Sequence, residues 1–206
     1  GGLVGEDGVT HHGVFDMAAF GAVPGLTIAA PMNEPELRNM MYTALGSGHP
    51  FMIRYPRGHG EGLPWRGEKF ETLPVGRGRR LREGADVALL TVGTVGNAAA
   101  RAAGRAAAEG VSVAHYDLRF VKPLDEALLD EVGRKFRRVV TVEDGSLRGG
   151  VGEAVAAFFN GRGYDVRVQR LGIGDEWVEH GTPGQLYALC GYDEEGILRA
   201  LLDTRA

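Results

Sequence analysis

Two stretches of this chain carry residue types that can do chemistry. Residues 5–16, Gly-Glu-Asp-Gly-Val-Thr-His-His-Gly-Val-Phe-Asp, place three glycines, three carboxylates and two adjacent histidines behind the apolar pair Leu3-Val4. Glycine lets the backbone turn sharply and come close to a ligand, and an imidazole such as His11 can accept and return a proton near neutral pH. Open α/β sheets put their active sites on loops of this kind at strand ends. A plain surface turn with a decorative histidine pair would have the same composition. The second stretch, Arg54-Tyr55-Pro56-Arg57-Gly58, follows the apolar run Phe51-Met52-Ile53. Two guanidinium groups beside a fixed proline bend match the oxygens of a phosphate, and they equally suit ordinary ion pairs. Gly149, Gly150 and Gly152 could cradle a phosphate at a helix N-terminus, or serve only to pack that helix on a strand.

The elements that would hold these stretches follow from periodicity and punctuation. Apolar residues at helical spacing predict a helix over 14–23, closed by Pro24-Gly25, and a charge-free strand over 26–30 ends at Pro31. Asn33 or Glu34 starts a helix to about Leu45, with Pro35 in its tolerated first turn. A strand covers 51–53. Residues 58–85, rich in Gly, Pro and basic side chains, read as a surface crossing between domains, with an edge strand over 70–75. From Asp86 a second α/β pattern begins. A strand at 87–92, apolar like one covered on both faces, an alanine-rich helix at 98–109 and a strand at 111–116 make a right-handed βαβ unit. A helix at 125–132, strands at 138–142 and 166–171, a helix at 153–160 between them, and helices at 183–190 and 194–204 complete the pattern. Gly1-Gly2-Leu3-Val4 reads as the middle of a strand, so a piece of a longer protein, or one subunit of a split one, is expected.

Bulk properties exclude several classes. With 206 residues and 44% hydrophobic content, the chain can bury one good core or two modest ones. A net charge of −4 with mixed signs offers nucleic acid no basic patch. The single cysteine, Cys190, excludes an internal disulfide and suits a reducing compartment. No apolar run approaches the ~20 residues of a membrane span, and the N-terminus has no secretory pattern, so a soluble, cytoplasmic protein is expected.

Asp7-Gly8-Val9-Thr10-His11-His12-Gly13-Val14-Phe15-Asp16 resembles the D-G-x-T-H-x-G-x-F-D segment of the 1-deoxy-D-xylulose-5-phosphate synthase family, thiamine-diphosphate enzymes of the transketolase superfamily. The resemblance continues through Arg54 to Gly58, Asp117 to Asp125, Val142-Glu143-Asp144-Gly145 with Gly149-Gly150, and Gly172 to Asp175 with Val178-Glu179-His180-Gly181. The Asp117 to Asp125 run is shared with beta subunits of 2-oxo-acid dehydrogenases, whereas Glu179-His180-Gly181 and Phe15-Asp16 favour the synthase. The resemblance implies an α/β fold: the back portion of a pyrimidine-binding domain at 1–73, then a transketolase C-terminal domain with a mostly parallel sheet at 74–206. It also implies architectural work for Lys122-Pro123, Glu143, Asp144 and His180.

The implied reaction condenses pyruvate with glyceraldehyde 3-phosphate to 1-deoxy-D-xylulose 5-phosphate and CO2, a step toward isoprenoid precursors and thiamine. On this resemblance His11 shuttles a proton or donates a hydrogen bond to the reacting oxygens, and Asp7 binds a substrate hydroxyl or orients His11. Arg57 holds the acceptor phosphate, with Arg54 as a supporting charge. His12 stands where relatives often carry glutamine, and its role is open. The family's ligands for thiamine diphosphate and Mg2+, and the glutamate that activates the cofactor, have no counterpart here. Both are therefore expected to be held mainly by an N-terminal section, without which this chain should be inactive. A homodimer is expected, since superfamily sites lie between domains and usually between chains. Other readings are a portion of a transketolase, a portion of a dehydrogenase beta subunit, against which the arginine pair argues, and a catalytically silent assembly or regulatory module.

Overall fold

Glycine and proline interrupt the N-terminal third every few residues, and its elements are correspondingly short. In the computed structural model, which describes residues 1–67 and 69–203, helix α1 spans Asp16–Gly21, strand β1 Thr27–Ala29, helix α2 Glu34–Gly46 and strand β2 Phe51–Ile53. Asn33 caps α2 by accepting from the Glu36 N–H at 3.1 Å, and Pro35 sits in the first turn, where no intrahelical donor is lost. β1 and β2 pair in parallel.

The larger part begins with strands β3 (Arg79–Arg82) and β4 (Val87–Val92), helix α3 (Val95–Ala108), and strands β5 (Val113–Asp117) and β6 (Phe120–Lys122). Helix α4 (Glu126–Lys135), strand β7 (Arg138–Ser146), helix α5 (Val151–Gly161), strand β8 (Arg167–Ile173) and helices α6 (Pro183–Leu189) and α7 (Glu194–Leu202) follow. One sheet runs β3-β5-β4-β7-β8, parallel except for its antiparallel edge β3. All of β4 is buried, and its alternate residues serve opposite cores. Val87 and Leu89 pack with α3 and α7; Ala88, Leu90 and Val92 pack with α4 and α5. Ala99, Ala102, Ala103 and Ala106 are fully buried, so α3 lies close on the sheet.

β6 leaves this sheet and pairs antiparallel with β1, giving a second sheet in the order β2-β1-β6. Charges reinforce that junction. The buried Glu36 carboxylate of α2 accepts from Arg119 Nε and Nη2, both at 2.8 Å, and lies 2.9 Å from Arg79. Arg79 also reaches Asp117 at 3.1 Å, and burial still pushes that carboxyl up to about 6.

Several expectations need correction. Residues 70–75 form no strand: the Leu73 N–H donates to Thr43 Oγ1 at 2.8 Å, and its side chain is buried beside Met40 and Phe120. The edge strand lies instead at β3, inside the basic run expected to cross the surface, because Arg79 is drawn to Asp117 and Glu36. Residues 1–4 are not a mid-strand; one bridge joins Gly2 to Gly13, although Leu3 is fully buried. The pairing of β6 with β1 was not anticipated. The helix expected over 98–109 begins at Val95, and the helix expected to reach 204 ends at Leu202, residue 204 lying outside the described residues. Among the described residues, no helix is long and apolar enough to cross a membrane.

Candidate active site

The histidine loop is closed at its base by backbone. Gly2 N–H donates to Gly13 O at 2.8 Å and Gly13 N–H returns the bond to Gly2 O at 2.9 Å. Gly2 has φ +78°, and a Cβ there would fall 1.9 Å from Asp144 Oδ2, so only glycine fits. Inside the loop a single 3-10 turn, Gly8–Thr10, ends with the His11 N–H donating to Gly8 O at 3.0 Å. His11 is exposed, and its Nδ1 lies 2.9 Å from Thr10 Oγ1. His12 is turned inward: its Nδ1 accepts from the Val4 N–H at 3.1 Å, and its Nε2 reaches the Glu179 carbonyl at 3.4 Å. An acceptor Nδ1 with a donor Nε2 is the neutral tautomer, so His12 ties the loop to the segment before α6.

The arginine bend leaves β2 and meets this loop. The Arg57 guanidinium pairs with the Asp7 carboxylate, and both remain partly in solvent, at 60% and 37% side-chain exposure. Arg54 is different. Its side chain is only 5% exposed, with Nε on Asp16 Oδ2 at 2.8 Å and Nη2 on the Asp144 carbonyl at 2.9 Å. The histidine loop and the arginine bend therefore lie side by side, with Asp7 and Arg57 touching, and Arg54 sits behind them in the protein.

Beyond Arg57 opens a cavity of about 560 Å³ between the N-terminal part and the larger sheet. Tyr55, Arg57 and His59 form one wall, the first turns of α3 the floor, and Tyr187 and Tyr192 the far side. His11 and Asp7 do not line it. Both tyrosines turn their hydroxyls to Asp144, at 3.4 and 2.8 Å, and Asp144 also accepts from the Leu3 N–H at 3.0 Å. Burial raises the Asp144 carboxyl above its ordinary range. Burial likewise pushes Glu143 up to about 7, although it accepts from the Val151 and Gly152 N–H groups at 2.7 and 2.8 Å. The N-terminus of α5 is thus closed by the protein's own carboxylate. A Cβ on Gly150 would lie 2.4 Å from Glu143 Oε2, so these glycines serve close packing and not a phosphate cradle.

The described residues do not by themselves fit a diphosphate–magnesium site. Among them, no group of three or more His, Cys, Asp or Glu could hold a metal ion, and Asp7 and Asp16 are each paired with an arginine. Sequence reasoning missed the pairing of Arg54 with Asp16 and the two tyrosines on Asp144, partners 38, 43 and 48 residues apart with no local pattern to link them.

Comparison with known proteins adds to this geometry. Residues 1–61 match the transketolase pyrimidine-binding domain and residues 76–197 the transketolase C-terminal domain. The chain is 56% identical over 206 residues to the 1-deoxy-D-xylulose-5-phosphate synthase of Bacteroides fragilis, covering 99% of this chain and 32% of that protein. It is 55% identical over 203 residues to the Bacteroides thetaiotaomicron synthase, covering 98% and 31%. The Symbiobacterium thermophilum synthase is 46% identical over 197 residues, covering 96% and 30%. The chain thus spans about a third of the length of these relatives. A solved structure described as "Split gene transketolase, inactive beta4 tetramer" superposes with a TM-score of 0.82 at 28% identity, covering 94% of this chain and 61% of that one.

Proposed function

Because the chain belongs to the transketolase family, we propose that it is the C-terminal section of a thiamine-diphosphate-dependent synthase joining pyruvate to glyceraldehyde 3-phosphate. The observation that carries this reading is the contact of Arg57 with Asp7, which brings the arginine bend against the histidine loop. Enzymes of this family depend on thiamine diphosphate and Mg2+, and the main ligands for both are assigned to an N-terminal section. Within this chain Arg57 takes the acceptor phosphate through its guanidinium fork and Asp7 takes a substrate hydroxyl or orients His11. His11 donates a hydrogen bond to, or exchanges a proton with, the reacting oxygens; its outward position and its short link to Thr10 suit a group that must meet a substrate. Arg54, buried on Asp16 and the Asp144 carbonyl, supports the site from behind and is not a substrate-facing charge.

The same reading divides the chain near residue 73 and makes the protein a cytoplasmic homodimer feeding isoprenoid-precursor and thiamine biosynthesis. The solved neighbour is described as an inactive tetramer of a split-gene transketolase, and this chain is read in the same way, as a section that assembles but does not turn over alone. The test is reconstitution: this chain, an N-terminal section, pyruvate, glyceraldehyde 3-phosphate, thiamine diphosphate and Mg2+ should yield deoxyxylulose phosphate, and this chain without its partner should yield none. Failure of the complete mixture to form product, with both sections folded and associated, sinks the proposal.

A further inference from the structure

Arg54 stands where three separate pieces of chain meet. Its Nε donates to Asp16 Oδ2 at 2.8 Å, its Nη2 to the Asp144 carbonyl at 2.9 Å, and the same Nη2 reaches the Gly13 carbonyl at 3.5 Å. Asp16 opens α1, directly after the histidine loop; its other oxygen accepts from the Met17 N–H at 2.8 Å, which fixes the carboxylate's direction. Gly13 ends the loop through its bridge to Gly2. Asp144 lies near the C-terminal end of the buried strand β7 and is held by Leu3 N–H and Tyr192. Gly1 packs over the ion pair, since a Cβ there would lie 2.9 Å from both Arg54 Nη2 and Asp16 Oδ2. A buried guanidinium with directed donors is costly to disturb, because every unpaired donor or acceptor left behind loses its water as well as its partner.

Three residues further on, across the proline bend, Arg57 reaches Asp7 in the same loop. The loop is therefore held twice by one short segment: at its base by Arg54 and near its tip by Arg57. Proline fixes one backbone angle between the two arginines, so a shift at the first is carried to the second.

We propose that Arg54, together with Asp16, is a positioning residue that sets where Arg57 stands relative to the histidine loop, and hence how strongly the site prefers a phosphorylated acceptor aldehyde. This inference rests on the reading of the site as a pyruvate–aldehyde phosphate synthase. Arg54 touches no substrate; it acts through Arg57. The fork cannot be replaced by an ammonium group, which offers a point charge without the fixed spread of donors.

The experiment uses the chain assembled with its N-terminal section and compares D-glyceraldehyde 3-phosphate with D-glyceraldehyde as acceptors for pyruvate. In Arg54→Gln and Asp16→Asn the ratio of kcat/KM between the two acceptors should fall about tenfold or more through the KM of the phosphorylated one, while unphosphorylated acceptor changes less than about threefold. Arg54→Lys should fall between these variants and the parent, and both conservative variants keep the assay meaningful if Arg54→Gln does not fold. Arg57→Ala is the reference. If Arg57→Ala lowers the ratio while Arg54→Lys and Asp16→Asn leave it at the parent value, the positioning role is overturned, even if both variants melt earlier. If Arg57→Ala also leaves the ratio unchanged, the phosphate reading itself has failed and this inference falls with it.

Discussion

The histidine loop and the interior of the larger sheet draw on the same side chains and use them in opposite ways. His11 is exposed and hydrogen-bonds its neighbour Thr10, whereas His115 on β5 is buried with Nε2 2.9 Å from Thr91 Oγ1. Asp7 and Arg57 pair in partial contact with solvent; Asp144 and Arg54, a few ångströms deeper, spend their hydrogen-bonding capacity on backbone and on each other's surroundings. A residue's type states what chemistry it can do, and burial decides whether that capacity is left for a ligand. Side chains that solvent and a ligand can reach collect at the loop, while Arg54, Asp144 and His115 are committed to holding the interior.

The hardest test of that contrast is His11→Ala. Loss of an acid–base group costs about 10²–10⁴ in rate, so the reconstituted synthase should lose turnover on that scale. Its melting temperature should match the parent's, because the imidazole is exposed and its hydrogen bond is to the adjacent Thr10. A variant that kept turnover within about threefold would break the contrast at its exposed end.

Much of this organisation was legible in the residues themselves. β4, with six apolar or small residues in a row, α2 between Asn33 and Gly46, and the alanine face of α3 announce themselves through local pattern. The side-by-side placement of the histidine loop and Arg57 came from resemblance; no spacing in the chain encodes it. What stayed hidden depends on partners far along the chain. β3 is a strand because Arg79 reaches Asp117 and Glu36, and β6 is one because β1 has an open edge for it. Arg54 has the same composition context as Arg57, and partners far along the chain, Asp16 at 38 residues and the Asp144 carbonyl at 90, tell the two apart.

The buried end of the contrast can be read from pH. Burial, with Arg79 and Arg82 adding to it, pulls His115 down from 6.5 to about 4. The unfolded chain then binds the proton more tightly, so the stability this neutral histidine contributes is fully present above pH 6.5 and is lost as pH falls toward 4. The gap corresponds to about 3 kcal/mol at most. Glu143 and Asp117 work in the opposite sense: burial raises both, to about 7 and about 6, so their contribution is present at low pH and lost as pH rises through those values. Those two carboxyls are common to the parent and to His115→Leu, and they cancel in the difference. Denaturant unfolding of both proteins between pH 7.5 and 4 should show the parent losing stability relative to the variant below pH 6.5. Parallel curves would mean that His115 is not held neutral by its surroundings.

The smallest expected effect lies between the two extremes, at the lead-in to α6. Thr182 caps that helix: its hydroxyl accepts from the Gln185 N–H at 3.4 Å while the Gln185 side chain accepts from the Thr182 N–H at 3.0 Å. The adjoining residues lie against the histidine loop, Gly181 N–H donating to Gly5 O at 3.4 Å. Thr182→Ala should cost about 1 kcal/mol, seen as a fall of about 2–4 °C in melting temperature. Turnover should change less than about twofold, because the loop is also fixed by the Gly2–Gly13 bridge, by Arg54 and by His12 on the Glu179 carbonyl, none of which depends on the Thr182 hydroxyl. A tenfold or larger loss of turnover with the same small change in melting would assign the loop's geometry to the segment before α6, and the exposed region would then owe its arrangement to the far side of the sheet and not to the arginine beneath it.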